Sequence, residues 1–397
     1  SYSRGLRFSE FLQYRVKLGK DGRTITVDGR YSIRNTPKSV TNSYSNLATL
    51  YDEALGTATP DIRYVSALAP QGETDISANV TYTEPVAKNA QVSMQYRFDF
   101  ENQDISKTAY ITGDDYDITG LTPDASLSSY TDSRSTEHRV GPGFRWAKNR
   151  NTFIANVYYQ HSTLDGLVKG ENIKRDYDHV TYFMMGNIAF NPQNSIRVFL
   201  NSYTHNPDVR NLQDVYDVSN AQYISKGNPN LKSSYNHRLN FHYIRSNIEK
   251  GRTFMWMAYA ETQQNYISSA TLYCPTGFEL SRFGDEVSVP TNSKGENYRP
   301  QRITSYENMD GYWNLRTFVN YGLPLSFMKC NLNLSAGVHY SIIPSAVYET
   351  KGDVVDNILN HNFTTNFAKN LGYNAGITLG SNISENIDFT ISWRGTF

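Results

Sequence analysis

Long apolar runs are what this sequence most clearly lacks. Nowhere in its 397 residues does an unbroken apolar stretch reach the ~18 residues that a membrane-spanning helix requires, so helical spans are excluded. Charge is also sparse: Lys, Arg, Asp and Glu make up 19%, and 38 cations balance 38 anions. A chain so balanced offers no electrostatic basis for binding nucleic acid or an anionic surface. Two cysteines in so long a chain do not make a disulfide framework. The composition is instead aromatic, with 30 Tyr and 19 Phe, and rich in Asn, Ser and Thr. That mixture disfavours helix and suits pleated strands joined by polar loops. A mean hydropathy of −0.56 does not exclude a membrane. A barrel strand needs an apolar residue only at every second position.

Period-two alternation recurs along the chain. Leu12, Tyr14, Val16 and Leu18 are interleaved with Gln13, Arg15 and Lys17, and after an Asp-Gly hairpin signal Ile25, Val27, Tyr31 and Ile33 alternate with Thr26, Asp28, Arg30 and Ser32. The same holds for Val92 to Phe100, Leu332 to Tyr340 and Ile387 to Trp393. Phe254 to Tyr259 is apolar at every position, which leaves its orientation open.

The pattern predicts about fourteen strands, near 7–18, 24–34, 74–85, 91–101, 135–147, 152–162, 178–190, 195–205, 234–246, 252–266, 305–322, 329–342, 363–380 and 386–396. Most reach the ~9–11 residues that a tilted strand needs to cross a bilayer, whereas soluble strands average about five or six. Connections alternate between short turns and long polar loops near 35–73, 102–133, 163–177, 206–233, 267–304 and 343–362. Short turns on one side and long loops on the other are the outer-membrane pattern, with the long loops extracellular. The expected fold is therefore all-β: a transmembrane, antiparallel, up-and-down β-barrel that meets the lipid bilayer as a multi-pass protein of the cell outer membrane. Turn order then places both chain ends on the extracellular side, so residues 1–397 read as a segment of a larger barrel.

One long loop runs Tyr203-Thr204-His205-Asn206-Pro207 through Leu212-Gln213 to Gly227-Asn228-Pro229-Asn230-Leu231-Lys232, directly before the next alternating strand. It resembles a segment of TonB-dependent receptor barrels, a proline-containing stretch followed by Gly-Asn-Pro-x-Leu-Lys. Ser233-Ser234 stand where that family often has Pro-Glu. The overall texture resembles the Bacteroidetes branch of these Gram-negative outer-membrane proteins. The resemblance implies an approximately 22-stranded barrel, a plug domain and a TonB box, with the plug and some strands lying outside these residues. It also implies energy-coupled import of a nutrient, an unknown small molecule, glycan or peptide, together with the TonB system and a surface lipoprotein partner. A passive porin or channel, or a structural barrel of a secretion or adhesion complex, fits the same strands.

Candidate site residues follow from parity. Arg15, Arg30, Arg97, Arg139, Arg145, Arg197, Arg238, Arg316 and Arg394 fall on the polar parity, with Lys17. They read as a lumen-facing basic set for a plug or an anionic solute, or as a solvated wall paired to carboxylates such as Asp28 and Asp99. His237 and His242 have opposite parity and cannot share a metal. The acidic run Gly113-Asp114-Asp115-Tyr116-Asp117 lacks the EF-hand spacing. Cys274 and Cys330 are expected a membrane thickness apart and unbonded. Tyr158, Tyr159, Tyr243, Trp313, Tyr321 and Trp393 suit interfacial girdles. No nucleotide loop, zinc helix or nucleophile elbow is present, so no catalytic residue, cofactor or metal is assigned and the protein is not expected to be an enzyme.

Overall fold

The computed structural model describes residues 1–52, 57–125, 127–168, 170–213, 216–217, 223–274, 300–349, 358, 362–381 and 388–397. Among the described residues fourteen strands pair in series to form one antiparallel wall. They are β1 (Tyr2–Lys17), β2 (Thr24–Asp52), β4 (Gln71–Ala87), β5 (Ala90–Thr112), β6 (Ser129–Lys148), β7 (Asn151–Val168), β8 (Glu171–Asn191), β9 (Asn194–His205), β12 (Ser234–Asn247), β13 (Arg252–Gln264), β16 (Tyr312–Leu325), β17 (Cys330–Tyr348), β18 (Phe363–Ser381) and β19 (Thr390–Thr396). Each joins the next in that order. Among the described residues β1 pairs only with β2, and β19 only with β18.

Opposed residues in an antiparallel ladder share a face, so the register carries one face across the wall. On one side lie Tyr14, Val27, Val80, Tyr96, Val140 and Tyr159, each opposite the next. Further along the same side stand Leu239, Leu315, Val338 and Tyr373, all large and exposed. Large apolar side chains left outward over a whole sheet mark a surface solvated by lipid. The ambiguous run resolves here: Phe254, Trp256 and Ala258 take the apolar face, while Met255, Met257 and Tyr259 take the other. Of the six girdle candidates, five share the apolar face. Tyr158 does not; it points to the polar side and donates to Gln95 Oε1 at 2.6 Å.

The expected long loops are corrected most. The segment expected as a loop over 35–73 is a hairpin, because β2 continues to Asp52 and pairs with β3 (Thr57–Leu68). β3 and β4 run in the same slot between β2 and β5, interrupted only at Ala69-Pro70, where the register against β2 slips. Proline lacks the N–H that an unbroken ladder would use. The expected strand 305–322 is two elements, β15 (Arg302–Met309) and β16, and 252–266 ends in β14 (Tyr266–Tyr273). The breaks face each other: Asn265 (φ 52°) and Gly311 (φ 99°) occupy left-handed conformations, and Asn265 N–H donates to Asp310 Oδ1 at 2.9 Å. Beyond this kink the β14–β15 hairpin changes neighbours. β14 then lies parallel to the end of β17, and β15 parallel to β11 (Tyr223–Lys226), which pairs with β10 (Tyr216–Asp217). A buried core of Ile224, Leu272, Ile303, Ala346 and Tyr348 fixes that arrangement.

Candidate functional site

The polar face is the first component. Register through every ladder puts Arg15, Arg30, Arg97, Arg139, Arg145, Arg197, Arg238, Arg316 and Arg394 on the one face opposite the apolar one. Their partners differ with height. Toward the long-loop end they are neutralised. Arg97 is bidentate to Asp99 at 2.7 Å, Arg139 Nη2 meets Glu137 Oε1 at 2.6 Å, and Arg238 Nη2 meets Glu261 Oε1 at 3.1 Å. Around Glu261 the hydroxyls of Tyr203 and Tyr259 each donate at 2.7 Å, and the Arg238 guanidinium lies 4.9 Å from the Tyr203 ring centroid. A carboxylate with three donors and two aromatic planes is a rigid polar cluster. Arg30 stands 6.0 Å from the Phe11 ring and lines a groove of about 350 Å³ with Arg7, Arg97, Asp75, Asp99 and Glu101.

Toward the short-turn end the cations are less matched. Arg15 Nε donates only to Thr26 Oγ1, at 3.3 Å; Arg316, higher up and opposite Tyr259, donates from Nε to Asn314 Oδ1 at 3.1 Å. Among the described residues Arg145, Arg197 and Arg394 have no carboxylate in salt-bridge range. Arg145 lines two adjoining grooves, of about 640 and 370 Å³, with Lys20 in the first and Arg15 in the second. The expected Asp28 ion pair is absent from the described contacts. Asp28 instead starts a hydrogen-bonded row across the wall: Gln13 and Asn79 donate to it at 2.6 and 3.0 Å, Gln95 donates to Asn79 at 2.5 Å, and Tyr158 to Gln95. Tyr158 reaches across β6 because Gly141 stands there; a Cβ at that position would strike the Val157 carbonyl oxygen and Tyr158 Cα.

The second component is the loop motif Gly227, Asn228, Pro229, Leu231 and Lys232. Gly227 is packed on the backbone of Asn211 and Gln213, leaving no room for a side chain. Asn228, 4% exposed, donates from Nδ2 to Tyr306 O at 2.9 Å and to Glu307 Oε2 at 3.2 Å. Pro229 O accepts both Nε and Nη2 of Arg175, at 3.1 and 2.9 Å. Lys232 N–H donates to Asn308 Oδ1 at 2.7 Å, while Asn308 Nδ2 donates back to Lys232 O and to Asn265 O, both at 3.0 Å. Leu231 fills a buried core with Leu164, Val168, Ile173, Val209 and Leu212, flanked by Ile267 and Tyr306. Leu164, Val168 and Ile173 share the parity of Gln160 and His179, which is that of the arginines. The motif and α1 (Val209–Leu212) therefore pack on the polar side and fasten the β7–β8 hairpin and the β14–β15 hairpin to the connection between β9 and β12. Sequence parity found the arginines but not Tyr203, Tyr259 and Glu261, whose meeting depends on register between strands.

The remaining candidates behave as ordinary structure. Asp117 Oδ1 accepts from Thr119 N and Oγ1 at 2.9 and 2.7 Å, which holds its carboxyl below the usual range; the acidic run thus closes on its own turn. Among the described residues no group of three His, Cys, Asp or Glu could hold a metal ion. Cys274 and Cys330 are free, and burial pushes the Cys274 thiol up to about 11. His237 and His242 stand on opposite faces.

Comparison with known proteins adds the family. A search of curated proteins finds no match. Among solved structures the chain is similar to the copper transporter OprC, with a TM-score of 0.52 and 10% identity, over 98% of this chain and 65% of that one. It is also similar to the ferric-catecholate import receptor Fiu from K12 E. coli (TM-score 0.49, 10% identity, 98% and 60% covered). A third likeness is to the Serratia marcescens hemophore receptor HasR in its complex with HasA and heme (TM-score 0.48, 10% identity, 98% and 68% covered). The chain spans just under two thirds of OprC, and at 10% identity that likeness speaks for the fold. The sequence model of the outer membrane protein beta-barrel family matches residues 16–394, nearly the whole chain. With its lipid-type face on one side and its arginines on the other, this chain belongs to the outer membrane protein beta-barrel family and is a multi-pass β-barrel protein of the outer membrane.

Proposed function

We propose that the chain forms the barrel wall of a TonB-dependent outer-membrane importer, its long loops extracellular and its arginine face toward the lumen. The observation that supports this reading best is the packing of the loop motif and α1 on the polar side of the β7–β8 hairpin. Loops built inward over the mouth of a barrel suit capture and gated passage better than an open diffusion pore. In this reading the whole barrel holds about 22 strands, the further strands pairing with β1 and β19, and a plug occupies the lumen. The less matched cations at the short-turn end, Arg15, Arg145 and Arg197, are placed to receive plug carboxylates. The ion-paired cluster of Tyr203, Arg238, Tyr259 and Glu261 belongs to the wall itself. The imported nutrient and a surface lipoprotein partner have no residue here that names them.

Proteoliposomes carrying the full-length protein provide the test. An importer should pass no steady flux of small saccharides or amino acids without energy coupling, and uptake by cells should stop when TonB is deleted. Steady passive flux, or uptake indifferent to TonB, would establish the channel reading instead. Stoichiometric co-purification of a protein that contributes strands or fills the lumen would point to a structural barrel.

A further inference from the structure

The apolar face carries one patch whose chemistry departs from its surroundings. At its short-turn end, where β12 turns into β13, a groove of about 420 Å³ opens on the lipid side. Register fixes that side: Arg245 lies opposite Phe254, Asn247 opposite Arg252, and Phe254 opposite Tyr321, all with the parity of Leu239 and Trp256. Tyr243, Phe254 and Tyr321 form its apolar wall, with the Tyr243 and Phe254 rings 5.9 Å apart. Arg245, Lys250 and Arg252 supply its polar edge. All three are exposed, no carboxylate lines the groove, and among the described residues none of the three meets an acid in salt-bridge range.

Unpaired cations on a lipid-facing surface need an explanation that lumen cations do not. Near the hydrocarbon they are tolerated only where an anion or water meets them. Two neighbours fix the depth. Ile248, at the tip of the turn, is 86% exposed, and Phe190, at the irregularity that ends β8, is 63% exposed. Apolar groups so exposed beside tyrosines place this rim at the headgroup boundary. What meets three cations and an aromatic wall at that level carries an anionic phosphate on an acyl-glycerol stem.

We infer that this groove is a binding site for the phosphate headgroup of a glycerophospholipid in the periplasmic leaflet. The guanidinium groups of Arg245 and Arg252 match phosphate oxygens in bidentate fashion, and the Lys250 ammonium adds a point charge from the turn. The rings of Tyr243, Phe254 and Tyr321 receive the upper acyl chains. The leaflet assignment rests on the orientation proposed above; the headgroup chemistry does not.

The test uses the full-length protein in detergent micelles, titrated with phosphatidylglycerol and read by native mass spectrometry. The wild type should retain bound phosphatidylglycerol, and the triple variant R245Q/K250Q/R252Q should bind it at least about tenfold more weakly. The variant K148Q/R150Q, which removes charge from the β6–β7 turn, should bind as the wild type does. Unchanged affinity in the triple variant, or an equal loss in K148Q/R150Q, overturns the site. Displacement of the lipid by millimolar inorganic phosphate overturns it as a lipid site in favour of a soluble anion. Orientation is read separately, by labelling K250C in intact cells. Labelling from outside overturns the leaflet assignment and leaves the headgroup result standing.

Discussion

Glu261 shows how a single side chain can hold several strands at once. Tyr203 comes from β9, Arg238 from β12 and Tyr259 from β13, and all three donate to one carboxylate that is 6% exposed. Removing the acceptor leaves the Tyr203 and Tyr259 hydroxyls without theirs and Arg238 Nη2 with Tyr203 Oη alone, a loss of about 1–3 kcal/mol for buried polar groups. Glu261→Ala should therefore lower the temperature at which the folded barrel loses its compact mobility on SDS gels, and Glu261→Gln, which keeps an acceptor oxygen, should lower it less. Equal behaviour of the two variants would show that side-chain volume rather than the polar cluster matters. Asp208 makes a different kind of prediction. Burial works against its charge, but the Arg210 side chain and backbone N–H outweigh that and hold its carboxyl below the usual range. A group depressed in the folded state stabilises it above the unfolded value and loses that contribution as pH falls through the folded value. Protection of the Asp208-capped turn, measured by hydrogen exchange, should stay level from pH 7 to about 4 and fall below that. Asp208→Asn, still an N-cap acceptor but without a charge, should show no such acid step. Parity made the arginines legible from the sequence. Asp99, two residues from Arg97 on the same strand, was legible with them, but the partners across strands were not, because a two-residue period says which face a side chain takes and nothing about which neighbour stands opposite.

At the scale of elements, legibility followed the solvent. Inside the bilayer lipid demands an apolar residue at every second position, so β4, β7 and β17 announce themselves. Above it, water satisfies either face and the demand lapses. β2 and β3 continue there as a hairpin with Tyr44 opposite Tyr64 and Asn42 opposite Ser66, a ladder with no alternation to read. The kink between β13–β16 and β14–β15 escaped for another reason. Asn265 and the Asp310-Gly311 pair sit between ladders that keep one register, Gln263 opposite Tyr312 and Tyr266 opposite Met309, and only their facing left-handed positions reveal a bend. That bend is held by the loop motif, so its latch can be released without touching the wall. Asn228→Ala removes the donor to Tyr306 O and Glu307 and should cost about 1–3 kcal/mol locally. Hydrogen exchange in β15 should quicken while exchange in β5 and β6 stays as in the wild type. Quickening across the whole wall would mean that the motif supports the barrel rather than its cap.

For the whole molecule, the decisive property is that its two faces meet different solvents. Everything proposed about lumen, plug and lipid follows from which face is which, and the register allows that to be tested with two adjacent residues of one strand. Val338 lies on the apolar face, 43% exposed, near the middle of β17. His339, the next residue, lies on the arginine face opposite Arg316. Placing arginine on the lipid side of a barrel near the bilayer midplane costs about 2–4 kcal/mol, while a water-lined interior accepts it at small cost. Val338→Arg should therefore markedly reduce folded, membrane-inserted full-length protein and its thermal resistance. His339→Arg, despite adding like charge beside Arg316, should change either by far less. The comparison holds strand, depth and added side chain constant, so only the facing solvent differs. Equal damage from both would mean that the arginine face is also dry, and a reversed order would put the lumen on the other side of the wall.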